Sequence, residues 1–190
     1  MDILQPLDKF ATVIFLLKMG KDGVLRFYLA RKKQDIHTNG QALVGSMKPN
    51  GYGGKLEAED NNSLTACAIR ELFSESEVTA KEEDLILAAH IRFFKEGSRD
   101  ENDFFMDVSF YLLDKYIGEP AETAEMGPPQ LYSVDDAPFE DMMPADERII
   151  SCIMSGKQMN GKVFYAKDLQ GNRYVKKWRV SINTPKVPFF

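Results

Sequence analysis

Gly51-Tyr52-Gly53-Gly54-Lys55-Leu56-Glu57, followed by Ala68-Ile69-Arg70-Glu71-Leu72-Phe73-Ser74-Glu75-Ser76-Glu77-Val78, is the stretch on which the reading of this chain turns. A glycine-rich loop leads into a segment with helical spacing. Positions three and four apart share a helix face, so Glu71, Ser74 and Glu75 line one side while Cys67, Ala68 and Leu72 can face the core. Two carboxylates one turn apart repel each other. A site for a hard divalent cation tolerates that cost, because Mg²⁺ takes oxygen ligands and usually shares them with substrate phosphates.

Working outward, the flanking segments read as strands. Phe10 to Leu17 is rich in β-branched and aromatic residues and predicts a buried strand. Lys21-Asp22-Gly23 supplies a turn, and Val24 to Ala30 a second strand. Gln34 to Ser46 reads as a loop of a length usual for a lid, a binding loop or a disordered segment. Asn62 or Ser63 can cap the helix, which is expected to run to about Ser76. Leu85 to Phe94 and Phe104 to Leu113 predict a hairpin. Gly118 to Pro129, with three glutamates and three prolines, is a loop before a short strand at Gln130 to Val134. Pro144 is expected to open a second helix reaching Ser155, since proline suits the first turn. Lys162 to Lys167 and Arg173 to Ile182 flank the turn Gln170-Gly171-Asn172. Interleaved strands and two helices suggest an α/β/α sandwich with a mixed sheet, expected as a single domain over residues 1–190 with a short tail at 184–190.

Here the loop and helix resemble the Nudix box, Gly-x5-Glu-x7-Arg-Glu-apolar-x-Glu-Glu-x-Gly-apolar. Gly54, Arg70, Glu71, Leu72, Glu75 and Val78 stand on its positions. Ser74 replaces the first glutamate of the pair, and Glu77 replaces the glycine. The interval from Gly54 to Arg70 is two residues too long, so Glu59 or Asp60 fills the early acidic position loosely. The likeness extends over about residues 10 to 182 and is greatest to the MutT-homologue group, the oxidised-purine nucleoside triphosphatases. Asn50 to Lys55, Phe105-Met106-Asp107-Val108, Glu125-Met126 and Pro138 to Asp146 each resemble a stretch of that group, in the same order.

The resemblance implies roles for individual residues. Glu71 and Glu75 would bind Mg²⁺ (or Mn²⁺), with the carbonyl of Gly53 as a third ligand. Glu125 would complete the metal site or act as base for the attacking water. Arg70 would orient the helix carboxylates, and Lys33 would reach the phosphates. Asn50 would read the base edge, Phe93 and Met106 would wall the base pocket, and Asp146 would hydrogen-bond the purine. Met143 stands where the group has a stacking tryptophan, and Ala145 where it has the first of two aspartates. The implied reaction is hydrolysis of a purine nucleoside triphosphate such as 8-oxo-dGTP to the monophosphate and pyrophosphate, which cleanses the nucleotide pool. Two alternatives stay open: hydrolysis of another nucleoside diphosphate derivative, and a catalytically weak, nucleotide-sensing domain. Ser74 and Glu77 motivate the second.

Composition bounds these readings. Hydrophobic content of 44% and charged content of 28% are ordinary for a globular chain of 190 residues. A net charge of −5 argues against capture of nucleic-acid polymers, which needs a basic face. It leaves room for a small phosphorylated ligand whose charge a metal neutralises. Cys67 and Cys152 lie among apolar residues without metal spacing and are expected as buried free thiols in a reducing compartment. The first ten residues do not read as a secretory signal, and Ala11 to Leu17 is too short to span a membrane. A cytoplasmic monomer without membrane association is the expectation.

Overall fold

The computed structural model describes residues 6–33, 47–99 and 101–184. The predicted loop Gln34 to Ser46 therefore lies outside the described residues, as does most of the expected tail. Eight strands and two helices follow in the order β1 (Phe10–Met19), β2 (Leu25–Arg31), β3 (Pro49–Asn50), α1 (Leu64–Ser76), β4 (Ile86–Lys95), β5 (Phe104–Leu113), β6 (Gln130–Tyr132), α2 (Asp146–Met154), β7 (Gln158–Lys167) and β8 (Arg173–Asn183). They form one mixed sheet in the order β3-β2-β1-β5-β4-β7-β8, with β6 paired to β2. The β1·β5 and β4·β7 pairs are parallel and the others antiparallel. The expected α/β/α arrangement is present.

Alternation along the strands divides the core into two layers. Ile14, Leu16, Tyr28, Tyr111 and Leu113 pack with Ala68 and Leu72 of α1. Phe15, Phe27, Ile91, Phe110 and Val163 face the other way, into a larger cluster closed by Ile149, Ile150 and Ile153 of α2. Each helix thus buries its apolar stripe against one face of the sheet.

Local rules explain the boundaries. The Ser63 hydroxyl accepts from the Ala66 amide at 3.1 Å and caps α1. At the other end Glu77 sits at φ 62°, a left-handed position usually given to glycine, and its amide bonds the Phe73 carbonyl. The second helix begins later than expected. Pro144 lies outside it, and Asp146 is its first residue, with the Asp146 carboxylate accepting the Met143 amide at 3.0 Å. Cys67 is buried as expected, whereas Cys152 is only half-buried, because it lies beside rather than on the stripe formed by Ile149, Ile150 and Ile153. No helix among the described residues is long and apolar enough to cross a membrane.

Candidate active site

The glycine loop crosses β1 before it meets α1. Tyr52 and Ile14 exchange backbone hydrogen bonds at 2.6 and 2.9 Å, and Thr12 donates to the Gly54 carbonyl at 2.9 Å. Both glycines are required by close approach. A Cβ at Gly53 would stand 2.1 Å from the Thr12 carbonyl oxygen, and one at Gly54 would stand 2.4 Å from the Glu71 carboxyl carbon. The loop is therefore laid directly on the acidic face of α1.

Glu75, 1% exposed, is the most enclosed carboxylate there. Its Oε2 accepts the Gly53 amide at 2.7 Å, and its Oε1 lies 3.3 Å from Lys32 Nζ. Burial raises its pKa to about 7 against the opposing pull of Lys32 and the Gly53 amide. Glu71 is also raised by burial. The neighbouring Arg70 lowers it, and Glu125 is close enough to raise it further. Arg70 Nη1 donates to Glu71 Oε1 at 2.7 Å. The same guanidinium grips Asp60 through Nε–Oδ1 and Nη2–Oδ2 bonds, each 2.8 Å. Asp60, rather than Glu59, is thus the buried early acid. The two extra residues are taken up by a 3₁₀ turn, Ala58–Asp60, and by left-handed Asn61 and Asn62.

Two arrangements at this end of the site bear on the expected roles. Lys33 does not stand beside the helix carboxylates. Its ammonium donates to the Thr123 carbonyl at 2.6 Å and pairs with Glu122 at 2.9 Å, while Lys32 takes the place at Glu75. Lys32, just past the end of β2, bridges to Met126 and is the lysine that meets Glu75. Nor are Glu71, Glu75 and Glu125 drawn into one cluster. Among the described residues, no three acidic, His or Cys side chains are close enough together to hold a metal ion. Each carboxylate follows its own partner: Glu71 to Arg70, Glu75 to Gly53 and Lys32. Glu125 is exposed on a separate loop, where its amide bonds the Thr123 hydroxyl.

The second half of the site lies on the α2 side of the sheet. Phe93 and Met106 are paired across β4 and β5. A bulge beside them leaves Phe105 unpaired, so that Phe105 and Met106 both pack against the α2-side core. Tyr165 of β7 stacks on Phe93 at 5.7 Å with an 11° interplanar angle. Arg173 of β8 lies over Phe105 and Tyr165, at 5.7 and 6.0 Å from the ring centres. The turn from Ala137 to Pro144 borders a cleft lined by Phe139, Met142, Met143 and Glu147. Lys48 ties that turn to β3 by donating to the carbonyls of Asp141 and Met142 at 3.0 and 3.2 Å. Asn50 is half-buried at the end of β3, its side-chain oxygen bonded to the Gly51 amide at 2.9 Å. Asp146 is raised to about 7, chiefly by burial and against the pull of the Met143 amide and Lys48. Sequence reasoning did not single out Tyr165 and Arg173, because the β7–β8 register that brings them to Phe93 and Phe105 leaves no motif.

Solved structures identify the class. The chain superposes on the MutT protein of Bacillus halodurans with a TM-score of 0.61 at 17% identity, covering 90% of this chain and 97% of that one. It superposes on a NUDIX hydrolase of Nitrosomonas europaea with a TM-score of 0.60 at 11% identity, covering 84% and 80%. The fold is therefore the Nudix fold. No protein-family model matches the chain. Sequence relatives go further. The oxidized purine nucleoside triphosphate hydrolase of Danio rerio is 32% identical over 139 residues, which are 73% of this chain and 75% of that protein. The Mus musculus enzyme of the same description is 32% identical over 117 residues, 62% of this chain and 69% of that protein. The chain belongs to the Nudix hydrolase family and is homologous to these enzymes.

Proposed function

We propose that this protein hydrolyses purine nucleoside triphosphates, including oxidised ones, to the monophosphate and pyrophosphate. The observation that supports this reading best is the pairing of two unlike half-sites. One is a glycine loop laid on the Glu71–Glu75 face, and the other an aromatic wall in which Phe93 and Tyr165 stack. The first suits a phosphate chain and the second a flat base with polar edges. The names of the Danio rerio and Mus musculus relatives agree with it.

The family typically uses a divalent metal. The residues present fit one, because the donors on the α1 face are all oxygen and Mg²⁺ commonly needs only one or two carboxylates besides substrate phosphates. Glu71 and Glu75 would hold it. When bound, such an ion neutralises phosphate charge and acidifies water.

The chain's own residues supply the rest. Arg70 fixes the Glu71 carboxylate, and the Gly53 amide fixes that of Glu75, so neither must reorganise as charge develops. Lys32, 3.3 Å from Glu75, would meet the phosphates. Glu125, exposed on its loop and close enough to act electrostatically on Glu71, would take a proton from the attacking water. Phe93, Met106 and Met143 sandwich the base while Asn50 and Asp146 hydrogen-bond its edges.

The test is pyrophosphate release in Mg²⁺ across 8-oxo-dGTP, 2-hydroxy-dATP, the four ordinary dNTPs, ADP-ribose and a diadenosine polyphosphate. Preference for purine triphosphates, modified ones foremost, is the expected result. Turnover confined to ADP-ribose or the dinucleotide would overturn the proposal and leave the family assignment intact.

A further inference from the structure

The two helices leave part of the sheet uncovered. Helix α1 packs on β1, β2 and β5, and α2 lies on the other side, against Val163 and beside Trp178 and Val180. The opposite face of β4, β7 and β8 has no helix on it among the described residues, and Asn160, Lys177, Arg179 and Ser181 are exposed there. The strand registers set Phe104, Phe94 and Phe164 next to one another across β5, β4 and β7. Phe94 meets Phe104 edge-on at 6.4 Å and stacks on Phe164 at 4.9 Å. Each ring carries a cation. Arg92 lies 5.3 Å from the centre of Phe104, Lys162 6.0 Å from that of Phe94, and Arg179 5.5 Å from that of Phe164. Lys177 stands opposite Phe164 on β8. Cross-strand neighbours share a face, so these cations form one band over an aromatic floor. Two carboxylates answer it: Asp107, bonded to Arg92 Nε at 2.8 Å and to His90, and Glu101, paired with Lys162. Among the described residues no acidic side chain pairs with Lys177 or Arg179. The chain's net charge of −5 does not describe this face.

We propose that this face of β4, β7 and β8 binds single-stranded nucleic acid. Its cations meet the phosphates, which supply sequence-independent affinity. Unpaired bases stack on aromatic rings and guanidinium planes, and this face offers both on rigid strands. A duplex hides the faces of its bases and an acidic polypeptide has none, so neither uses the aromatic floor. The proposal is independent of the triphosphatase reading, because none of Arg92, Lys162, Lys177 and Arg179 belongs to the candidate active site.

The experiment is fluorescence anisotropy on the full chain without Mg²⁺, using labelled oligouridylate and oligothymidylate of about twelve nucleotides. A DNA duplex of the same length and a polyglutamate of equal charge are the comparison probes. Four phosphate contacts give a wild-type affinity that falls about fiftyfold between about 50 and 200 mM salt. The double variant Lys177→Gln/Arg179→Gln removes two exposed cations and leaves Arg92 and Lys162 with their carboxylates. It should bind about tenfold more weakly at the lower salt, and its affinity should fall only about sevenfold over the same range. Lys81→Gln/Lys115→Gln removes the same charge from exposed lysines elsewhere and should leave binding unchanged. Binding of either oligonucleotide supports the proposal, and the tighter one names the polymer. No binding by the wild type would overturn it, as would equal weakening in the two double variants. Duplex or polyglutamate bound as tightly as the single strands would also overturn it, marking a surface that reads charge alone.

Discussion

Arg70 and Asp60 are joined by two parallel hydrogen bonds of 2.8 Å across the base of the site, while a third arm of the guanidinium holds Glu71 at 2.7 Å. Asp60 is 4% exposed and also accepts the Glu57 amide at 2.8 Å. Removing the cation strands a buried carboxylate, which costs about 3–5 kcal/mol in comparable settings. Arg70→Ala should therefore lower unfolding free energy by about 3 kcal/mol in urea titrations and also reduce turnover, because Glu71 loses its tether. Arg70→Lys should recover only part of either loss, since an ammonium cannot reproduce the fork. Full stability in Arg70→Ala would show that the pair contributes no net stabilisation.

The lysine exchange is open to a direct test. Lys32 lies 3.3 Å from Glu75, and Lys33 is turned away to Thr123 and Glu122. Lys32→Met should lower kcat/KM for the preferred triphosphate at least tenfold, a change of about 1.4 kcal/mol. Lys33→Met should stay within about threefold of wild type. Steady-state kinetics on the two variants decides between them. The reverse ranking would restore the assignment to Lys33.

The two lysines also show what a sequence can and cannot convey. The glycine loop, the acidic helix face and the alternating strands are local patterns, and they were legible. The 3₁₀ turn that absorbs the long Gly54–Arg70 interval was not. Its signal, Asn61-Asn62 in left-handed conformation, becomes clear only once Asp60 is known to meet Arg70. Likewise the bulge at Phe105 and the β7–β8 register are set by tertiary pairing, so the Tyr165–Arg173 wall had no local sign. Lys32 and Lys33 lie just past the end of β2, where Lys32 bridges to Met126, a long-range pairing that leaves no local sign.

Glu77 occupies the left-handed cap of α1 at φ 62°, where the family pattern has glycine. A side chain in that conformation costs about 1 kcal/mol or more. Glu77→Gly should raise the melting temperature by about 2–4 °C with catalysis unchanged. Differential scanning fluorimetry measures it. A fall in melting temperature would mean that the Glu77 side chain contributes more than the strain it imposes.

Asp146 makes the protein's stability depend on pH in a stated direction. Its pKa is raised by burial from 3.8 to about 7 in the folded chain. The folded state thus favours the protonated form. That contribution is complete below the unfolded pKa, near 4, and is lost as pH rises through about 7. Asp146→Asn keeps an oxygen for the Met143 amide but cannot ionise. Melting temperatures at pH 5 and pH 8.5 should therefore fall further in the wild type than in the variant. The same ionisation should give purine affinity an inflection near pH 7 that Asp146→Asn abolishes, because only the protonated carboxyl can donate to the base. Parallel pH profiles for the two proteins, in both melting and binding, would place the Asp146 carboxylate in solvent contact and remove it from base recognition.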